Sequence, residues 1–211
     1  MKVLVTGANG YIGRHVVKRL LDEGLDVIAC DIKVDDVDPH VKKIVSNIFE
    51  PSDGNIFERL GSPDVCLHMA WRNGFVHDAP TQIGDLSLHY RFLTAMIDGG
   101  LKRLAVMGTM HEVGYWEGAI DENTPCNPIS MYGIAKDSLR RAMKLYTEQK
   151  QRFVDRSFHT NKFYLLLVLG LFLTMFLTKN AEPFVYGISS TLVFGVAGAA
   201  ICILWWINMD S

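Results

Sequence analysis

The chain has 211 residues, a formal net charge of −2 and 49% hydrophobic residues, which is enough for one sizeable folded domain with a further segment attached. The near-neutral charge gives no electrostatic reason to expect nucleic-acid binding. The four cysteines, Cys30, Cys66, Cys126 and Cys202, lack the spacing of metal ligands, and no metal site is predicted. The first two fall in predicted buried strands, where a thiol behaves as a small hydrophobic group, so a reduced, cytosolic compartment fits. The opening apolar run is too short for a secretory signal.

The first thirteen residues, MKVLVTGANGYIG, predict a strand, a glycine-rich turn and the start of a helix. In this geometry a pyrophosphate sits on the amides of a helix N-terminus. Gly7 permits the tight turn, Gly10 allows the backbone to approach the phosphates, and Gly13 allows the helix to pack closely on the strand. This stretch therefore predicts a dinucleotide-binding site.

Asp31 supports the same interpretation, because it follows a second predicted strand and lies 18 residues after Gly13. A carboxylate there accepts hydrogen bonds from the adenosine ribose hydroxyls and repels a 2′-phosphate. We therefore expect NAD as the cofactor, with NADP less favoured, although the nearby Lys33 leaves some room for it.

Apolar patterns predict helices and strands in alternation, which is typical of a doubly wound, Rossmann-like parallel α/β sheet with ligands at the carboxyl ends of its strands. The predicted helices cover Ile12–Gly24, Pro51–Leu60 and Asp85–Gly99. The predicted strands after the first cover Leu25–Cys30, Val41–Asn47, Asp64–Ala70 and Leu104–Thr109.

Two details of these strands bear on the site. Asn47 and Ile48, where the third strand ends, are candidate contacts to the adenine ring. His68 lies within an apolar strand, whose neighbours disfavour a charged imidazole. We therefore expect His68 to be a packed or hydrogen-bonded core residue rather than a catalyst.

Thr109, Tyr132 and Lys136 form the candidate reactive group. Thr109 is predicted at the carboxyl end of the fifth strand, and Tyr132 and Lys136 are four residues apart, one turn apart on the same face of a helix. An ammonium near a phenol lowers the pKa of the tyrosine. Such a tyrosine can remove a proton from a substrate hydroxyl while the carbon gives hydride to NAD.

Residues 1 to about 150 resemble the extended short-chain dehydrogenase/reductase family, in its NAD-dependent epimerase/dehydratase branch acting on nucleotide sugars. The matching segments are TGANGYIG (6–13), Asp31, LHMA (67–70), Thr109, IDENTPCNP (120–128) and YGIAK (132–136). The resemblance implies that Thr109 hydrogen-bonds the substrate hydroxyl, Tyr132 is the acid/base, and Lys136 holds the cofactor ribose and tunes Tyr132. It also implies that Ala70 lies along the cofactor and that Tyr11 and Ile12, within the glycine motif, bind it.

The sequence departs from the family pattern directly after Thr109. Dehydratases of the family follow this threonine with an Asp-Glu pair, whereas Met110, His111 and Glu112 stand here. This difference favours an epimerase or a ketoreductase. His111 and Glu112 are expected to make ordinary loop contacts, with an auxiliary role at the site as the alternative.

The composition changes after about Gln151. A basic linker, 151–162, leads into two uncharged stretches of 16 and 24 residues, 163–178 and 184–207. At about 1.5 Å per residue the second easily crosses a hydrocarbon core of about 30 Å, and the first can span it with flanking lysines. We therefore predict a two-helix transmembrane hairpin, which makes the lipid bilayer a partner. The preceding basic residues place the N-terminal domain on the cytoplasmic side.

Two classes of function follow from these patterns. The first is a membrane-tethered, NAD-dependent epimerase or reductase that acts on a nucleotide sugar. The second is a truncated or fused dinucleotide-binding module without turnover, because members of the family continue into a substrate domain that is missing from this chain. A third interpretation makes the membrane hairpin the functional part. A homo-oligomer is left open.

Overall fold

The computed structural model describes residues 1–50 and 54–152. The two uncharged stretches within 163–207 lie outside the described residues, and so does Cys202. Residues Met1–Tyr146 form one compact unit, and a second unit begins at Thr147, of which only 147–152 are described. No helix of the described ranges is both long and apolar enough to cross a membrane.

Five parallel strands form one sheet in the Met1–Tyr146 unit. They are β1 (Lys2–Thr6), β2 (Asp26–Asp31), β3 (Lys42–Val45), β4 (Val65–His68) and β5 (Arg103–Val106). Their spatial order is β3-β2-β1-β4-β5, and every neighbouring pair is parallel. This arrangement confirms the predicted Rossmann-like sheet. The chain order changes direction between β1 and β4, and sheets of this kind bind ligands at the carboxyl ends of the strands beside that point.

Helices connect the strands and cover both faces of the sheet. They are α1 (Tyr11–Asp22), α2 (Ile56–Arg59), α3 (Thr81–Gly84) and α4 (Leu86–Asp98), a 3-10 helix (Met110–Glu112), and α5, which is helical from 131 to the last described residue, 152. The described part of the predicted Pro51–Leu60 helix is shorter than expected, because α2 begins at Ile56 after the Asn55 side chain accepts the Phe57 amide. The single turn α3 was not predicted.

The core has two layers, one on each side of the sheet, as the alternation of side chains along parallel strands requires. On one face, Leu4, Ile28 and Cys66 pack with residues of α4 and α5, among them Phe92, Leu93, Met96, Leu139 and Met143. On the other face, Val3, Val5, Val27 and Ala29 pack with Val17 of α1. The fully buried positions of β1 and β2 explain their continuous apolar sequences.

The strands β3, β4 and β5 end two or three residues earlier than predicted, whereas β2 ends one residue later, at Asp31. After β4, the amide of Met69 still donates to the Thr6 carbonyl, but the chain then leaves the sheet. β5 ends at Val106, so the prediction that the strand continues to Thr109 is wrong. Thr109 has extended backbone, and its side chain accepts the amide of His111 to cap the 3-10 helix. Capping by the Thr109 side chain therefore sets the start of the 3-10 helix that follows β5.

Candidate active site

The glycine-rich turn lies between β1 and α1 and packs against the end of β4. Gly7 has a φ of +69°, and a Cβ built on it would lie 2.6 Å from the Ala70 amide nitrogen. A Cβ on Gly13 would lie 2.2 Å from the Gly7 carbonyl oxygen. Both positions therefore require glycine, since a side chain would overlap the backbone. This close packing places Ala70 beside the turn.

A cleft of about 580 Å³ opens at the carboxyl ends of β1, β2 and β4. Its lining includes residues of the turn, of the β2 end, of the 46–50 loop and of the segment after β4: Thr6, Gly7, Gly10, Cys30, Asp31, Ile32, Ser46, Asn47, Ile48, Phe49, Glu50, Met69, Ala70, Trp71, Arg72 and Leu88. The cleft thus brings together six of the residues that the sequence predicts as cofactor contacts: Gly7, Gly10, Asp31, Asn47, Ile48 and Ala70.

The Asp31 carboxylate is held in place at the end of β2. Its Oδ2 accepts the Asn9 amide at 2.9 Å, and its Oδ1 accepts the Ile32 amide at 2.7 Å. The side chain is half-buried and lines the cleft. An oriented carboxylate at this point is the feature that a ribose diol needs.

The other predicted cofactor contacts differ in how they reach the cleft. The Asn47 side chain holds its own turn, since its Oδ1 accepts the Phe49 amide and its Nδ2 donates to Glu50 Oε1. Ile48 is buried and lines the cleft. Tyr11 and Ile12 project into solvent, with 74% and 54% of their surface exposed. They belong to the first turn of α1, so their backbone amides rather than their side chains are the groups available to a cofactor.

The residues of this cleft fit a dinucleotide. Gly7 and Gly13 allow the turn and α1 to pack closely, and the exposed Gly10, the N-cap of α1, leaves room for a ligand at the free amides of the helix N-terminus. The Asp31 carboxylate, which is bonded to the Asn9 amide of the turn, is the acceptor for the ribose hydroxyls. NAD meets these donors and acceptors, whereas a 2′-phosphate would face the Asp31 charge.

Thr109, Tyr132 and Lys136 do come together beyond the end of β5. The Thr109 side chain lies close enough to the Tyr132 phenol to favour its ionised form. Lys136 is 4% exposed, its Nζ donates to the Met107 carbonyl oxygen at 2.7 Å, and it lies 5.9 Å from the centroid of the Tyr132 ring. The first turn of α5 approaches the 3-10 helix so closely that a Cβ on Gly133 would lie 2.2 Å from the His111 carbonyl oxygen.

The predicted depression of the Tyr132 pKa is wrong for the groups that the chain itself supplies. Burial raises the pKa of Tyr132 above 10.0, the Thr109 side chain opposes this, and the charge of Glu112 adds to it. Burial also lowers the pKa of Lys136 from 10.5 to about 8, against the opposing effect of Glu112. The Lys136 ammonium donates to the Met107 carbonyl and not to the phenol, and its charge is not among the causes that act on the Tyr132 pKa.

Glu112 supports the threonine, although the sequence favoured ordinary loop contacts for it and kept an auxiliary role only as the alternative. It is buried, its Oε1 accepts the Thr109 amide at 2.9 Å, and its Oε2 accepts Arg140 Nε at 3.1 Å. Arg140 also pairs with Asp137 on α5. Glu112 therefore ties the backbone of Thr109 to α5, the helix that carries Tyr132.

Two histidines lie next to each other beside the Tyr132 ring. His77 stacks on it with centroids 5.6 Å apart and planes at 12°, and the His111 centroid also lies 5.6 Å away. The two imidazole centroids are 4.1 Å apart. The Tyr132 amide donates to the His77 carbonyl, which fixes the loop before α3 against α5. His111 is thus beside the tyrosine, and His77 was missed because no sequence pattern links it to α5.

His68 is a hydrogen-bonded core residue, which confirms its interpretation. Burial lowers its pKa well below 6.5, and its Nδ1 lies 2.8 Å from the Thr6 hydroxyl. That hydroxyl already accepts the amides of Met69 and Ala70, so its proton is directed at His68. The His68 Nε2 then donates to His89 Nδ1 at 2.8 Å, and His89 Nε2 is buried without a partner among the described residues.

The cysteine prediction also agrees with the structure at the two strand positions. Cys30 and Cys66 are fully buried, and burial raises the pKa of each thiol to about 12. Both therefore stay protonated and pack as hydrophobic groups.

Comparison with known proteins identifies the relatives of this fold. Over 148 residues the chain is 47% identical to a dTDP-6-deoxy-L-talose 4-dehydrogenase (NAD(+)) of Aggregatibacter actinomycetemcomitans, a match that covers 68% of this chain and 54% of that protein. It is 30% identical to a UDP-glucose 4-epimerase of Lactobacillus helveticus over 152 residues, covering 68% and 46%. The chain spans about half the length of the curated relatives it matches.

Solved structures show the same fold. A UDP-glucose 4-epimerase of Thermotoga maritima with UDP-glucose superimposes with a TM-score of 0.60 at 26% identity, covering 70% of this chain and 52% of that one. A UDP-glucuronic acid 4-epimerase of Bacillus cereus in complex with NAD gives 0.55 at 24% identity, covering 70% and 53%. Residues 3–155 match the NAD dependent epimerase/dehydratase family. With the sheet order, the glycine turn and the clustered Thr109, Tyr132 and Lys136 in agreement, the chain belongs to the NAD-dependent epimerase/dehydratase family.

Proposed function

We propose that this chain binds NAD and acts in hydride transfer at a hydroxyl-bearing carbon of a nucleotide-linked sugar, as an epimerase or a reductase. The observation that carries the proposal is the clustering of Thr109, Tyr132 and Lys136 at the start of α5, next to a cleft that fits a dinucleotide. The similarity to a nucleotide-sugar 4-dehydrogenase and to UDP-sugar epimerases supports the substrate class.

The chain's own groups suit proton transfer to or from a sugar oxygen. NAD, when bound, supplies the hydride acceptor, and NADH the donor. The raised pKa of Tyr132 keeps its phenol protonated at neutral pH, which is the form that donates to a carbonyl oxygen. Thr109 acts on that phenol by favouring its ionised form, and its backbone amide donates to the buried Glu112. These groups therefore favour the reductive direction at neutral pH and the oxidative direction at higher pH.

The cleft is tested first, with the purified full chain and isothermal calorimetry of NAD and NADP. We expect NAD to bind more tightly than NADP, and Asp31→Ala to lose that preference because the ribose partner and its charge are gone. Tyr132→Phe is the matched control and should bind NAD as the wild type does. Absence of NAD binding to the wild type would contradict the proposal.

Turnover is then followed with dTDP- and UDP-linked hexoses and their 4-keto forms: net reduction by the absorbance of NADH, and epimerisation, which leaves NAD unchanged overall, by NMR of the sugar nucleotide. We expect activity in the wild type and its loss in Tyr132→Phe. NAD binding without turnover would instead support a dinucleotide-binding module that lacks catalysis.

We also propose that the chain is attached to a membrane with its N-terminal domain on the cytoplasmic side. This rests on the sequence of 163–178 and 184–207, which carry no charged residue, and on the basic residues before them. The full chain should float with lipid vesicles in a density gradient and resist extraction by alkaline carbonate. Recovery in the soluble fraction under both conditions would contradict membrane attachment.

A further inference from the structure

Trp71 connects the cleft to the reactive residues. It follows β4 and lines the cleft. Its ring carries the Lys136 ammonium, with Nζ 4.1 Å from the ring centroid, and it also meets the Tyr132 ring edge-on at 5.9 Å. A cation at this distance from an indole ring is attracted by the negative face of the π-system. One side chain thus touches both the binding cleft and two members of the reactive group.

The Trp71 ring is itself held in one orientation. Its Nε1 donates to Gln82 Oε1 at 2.7 Å, and Gln82 is fully buried in α3. The Gln82 Nε2 donates to the carbonyls of Asn73 and Val76 at 2.7 and 2.9 Å. The amide therefore has its acceptor and both donor positions in use, and it cannot rotate without breaking these bonds. The indole also stacks on the buried His89 at 4.2 Å with planes at 14°.

Lys136 depends on this ring because its ammonium is buried without an ion pair in the described parts of the chain. Its hydrogen bond to the Met107 carbonyl uses one of three donor positions. The acidic group whose charge acts on it, Glu112, already accepts from Thr109 and Arg140. The ring face of Trp71 is therefore the main stabilising partner of the charge, besides one carbonyl oxygen.

We propose that Trp71 is a positioning residue for Lys136: the Trp71 ring, oriented by Gln82, holds the buried ammonium at the boundary between the cofactor cleft and Tyr132. The inference deepens the proposed function and rests on it for its catalytic consequence. The placement of the ammonium is measurable without turnover. If Lys136 moves off the ring, the group that faces both cleft and tyrosine loses its fixed position.

The Lys136 pKa reports this placement directly. The titratable groups around the ammonium are Glu112 from the 3-10 helix, His68 from β4, His89 from α4 and Tyr132 from α5 itself. Burial and the Lys136 charge lower the pKa of His89 to about 4, so both core histidines are neutral at neutral pH. The carboxylate of Glu112 is the remaining charge and is the same in every Trp71 variant.

The test compares Trp71→Phe with Trp71→Leu in the full chain. NMR titration of lysine labelled with ¹³C at Cε gives the Lys136 pKa, with the signal assigned as the one missing in Lys136→Met. Leucine keeps apolar cover over the ammonium but removes the π-face, so the Lys136 pKa should fall by about 0.5 to 1 relative to wild type. Phenylalanine keeps a weaker π-face, and the pKa should lie between the two.

The ordering of the three values decides the inference. A role in packing alone predicts the same Lys136 pKa in the Phe and Leu variants, and that result, or a rise in both, would overturn the proposal. If Trp71→Leu does not fold, a fall in Trp71→Phe alone supports the proposal and an unchanged value contradicts it. Trp116→Leu, an exposed tryptophan in the 115–118 loop, is the control and should leave the Lys136 signal unchanged.

Turnover gives a second readout that separates this inference from the proposed function. In an active enzyme, Trp71→Leu should lower kcat and shift the alkaline limb of the kcat–pH profile, with partial rescue by Trp71→Phe. A wild type that binds NAD but shows no turnover contradicts the proposed function, while the Lys136 titration still decides the role of Trp71.

Discussion

Replacing Lys136 by methionine should stabilise the protein at neutral pH while removing a group that the proposed reaction needs. Lys136 is 4% exposed, and burial lowers its pKa from 10.5 to about 8. The unfolded chain therefore binds more protons than the folded one between about pH 8 and 10.5. The folded wild type gains stability as the pH rises through this window and carries the full cost of the buried charge below it.

The magnitude follows from the same values. A lowering of the pKa by roughly 2.5, at 1.36 kcal/mol for each unit, is about 3 kcal/mol. Methionine does not titrate, and its loss of the hydrogen bond to Met107 changes stability by about 1 kcal/mol at every pH. The stability of Lys136→Met minus that of the wild type should therefore fall by about 3 kcal/mol between pH 7 and about pH 11.

Urea unfolding of the full chain at a series of pH values measures this difference, with the unfolded fraction determined by a short protease pulse. Lys18→Met, at an exposed position on α1, is the matched control and should give a difference that does not vary with pH. If the difference in unfolding free energy for Lys136→Met does not vary with pH, the claim that burial lowers the Lys136 pKa is wrong. A difference that grows with pH would mean that the ammonium is stabilised in the fold.

Further predictions concern the turn, the threonine support and the end of β4. Gly7→Ala should abolish NAD binding in calorimetry and lower the melting temperature, because its Cβ would overlap the Ala70 backbone at a φ of +69°. Glu112→Gln should cost about 1–3 kcal/mol in urea unfolding by leaving Arg140 with a neutral partner, and unchanged stability would contradict the support role. Thr6→Val should cost a similar 1–3 kcal/mol, since its hydroxyl serves two backbone amides and a buried imidazole. A cost below about 0.5 kcal/mol would count against that network.

The features that the sequence predicts correctly are those with a local physical cause. Gly7 and Gly13 stand where the backbone itself leaves no room for a side chain, and that requirement is visible in the spacing alone. The buried strands are predicted because parallel strands covered on both faces have continuous apolar sequences. His68 is interpreted correctly from its apolar neighbours for the same reason.

The features that the sequence does not predict depend on contacts between distant segments. The site of Lys136 is determined by Trp71, which is 65 residues away along the chain, and by Gln82, which orients that ring. No periodicity relates these positions. The helical turn after β5 has a local cause instead, because Thr109 and Glu112, three residues apart, form the capping box of the 3-10 helix, a pattern that the strand prediction did not take into account. The sequence predicts a lowered Tyr132 pKa, whereas burial raises it. The helical spacing of Tyr132 and Lys136 does not show that the ammonium donates to the Met107 carbonyl.

The cleft draws its lining from the ends of three strands and from the loops that follow them, between Thr6 and Leu88. A molecule that fits it is therefore held only when β1, β2 and β4 are aligned, and a chain with any one of them detached has no complete site. Occupancy is thus linked to the folding of the sheet as a whole. A ligand at 100 times its Kd adds about 2.7 kcal/mol to the stability of such a unit. A thermal-shift titration with dinucleotides would consequently report on the integrity of the sheet and rank the ligands in the same experiment.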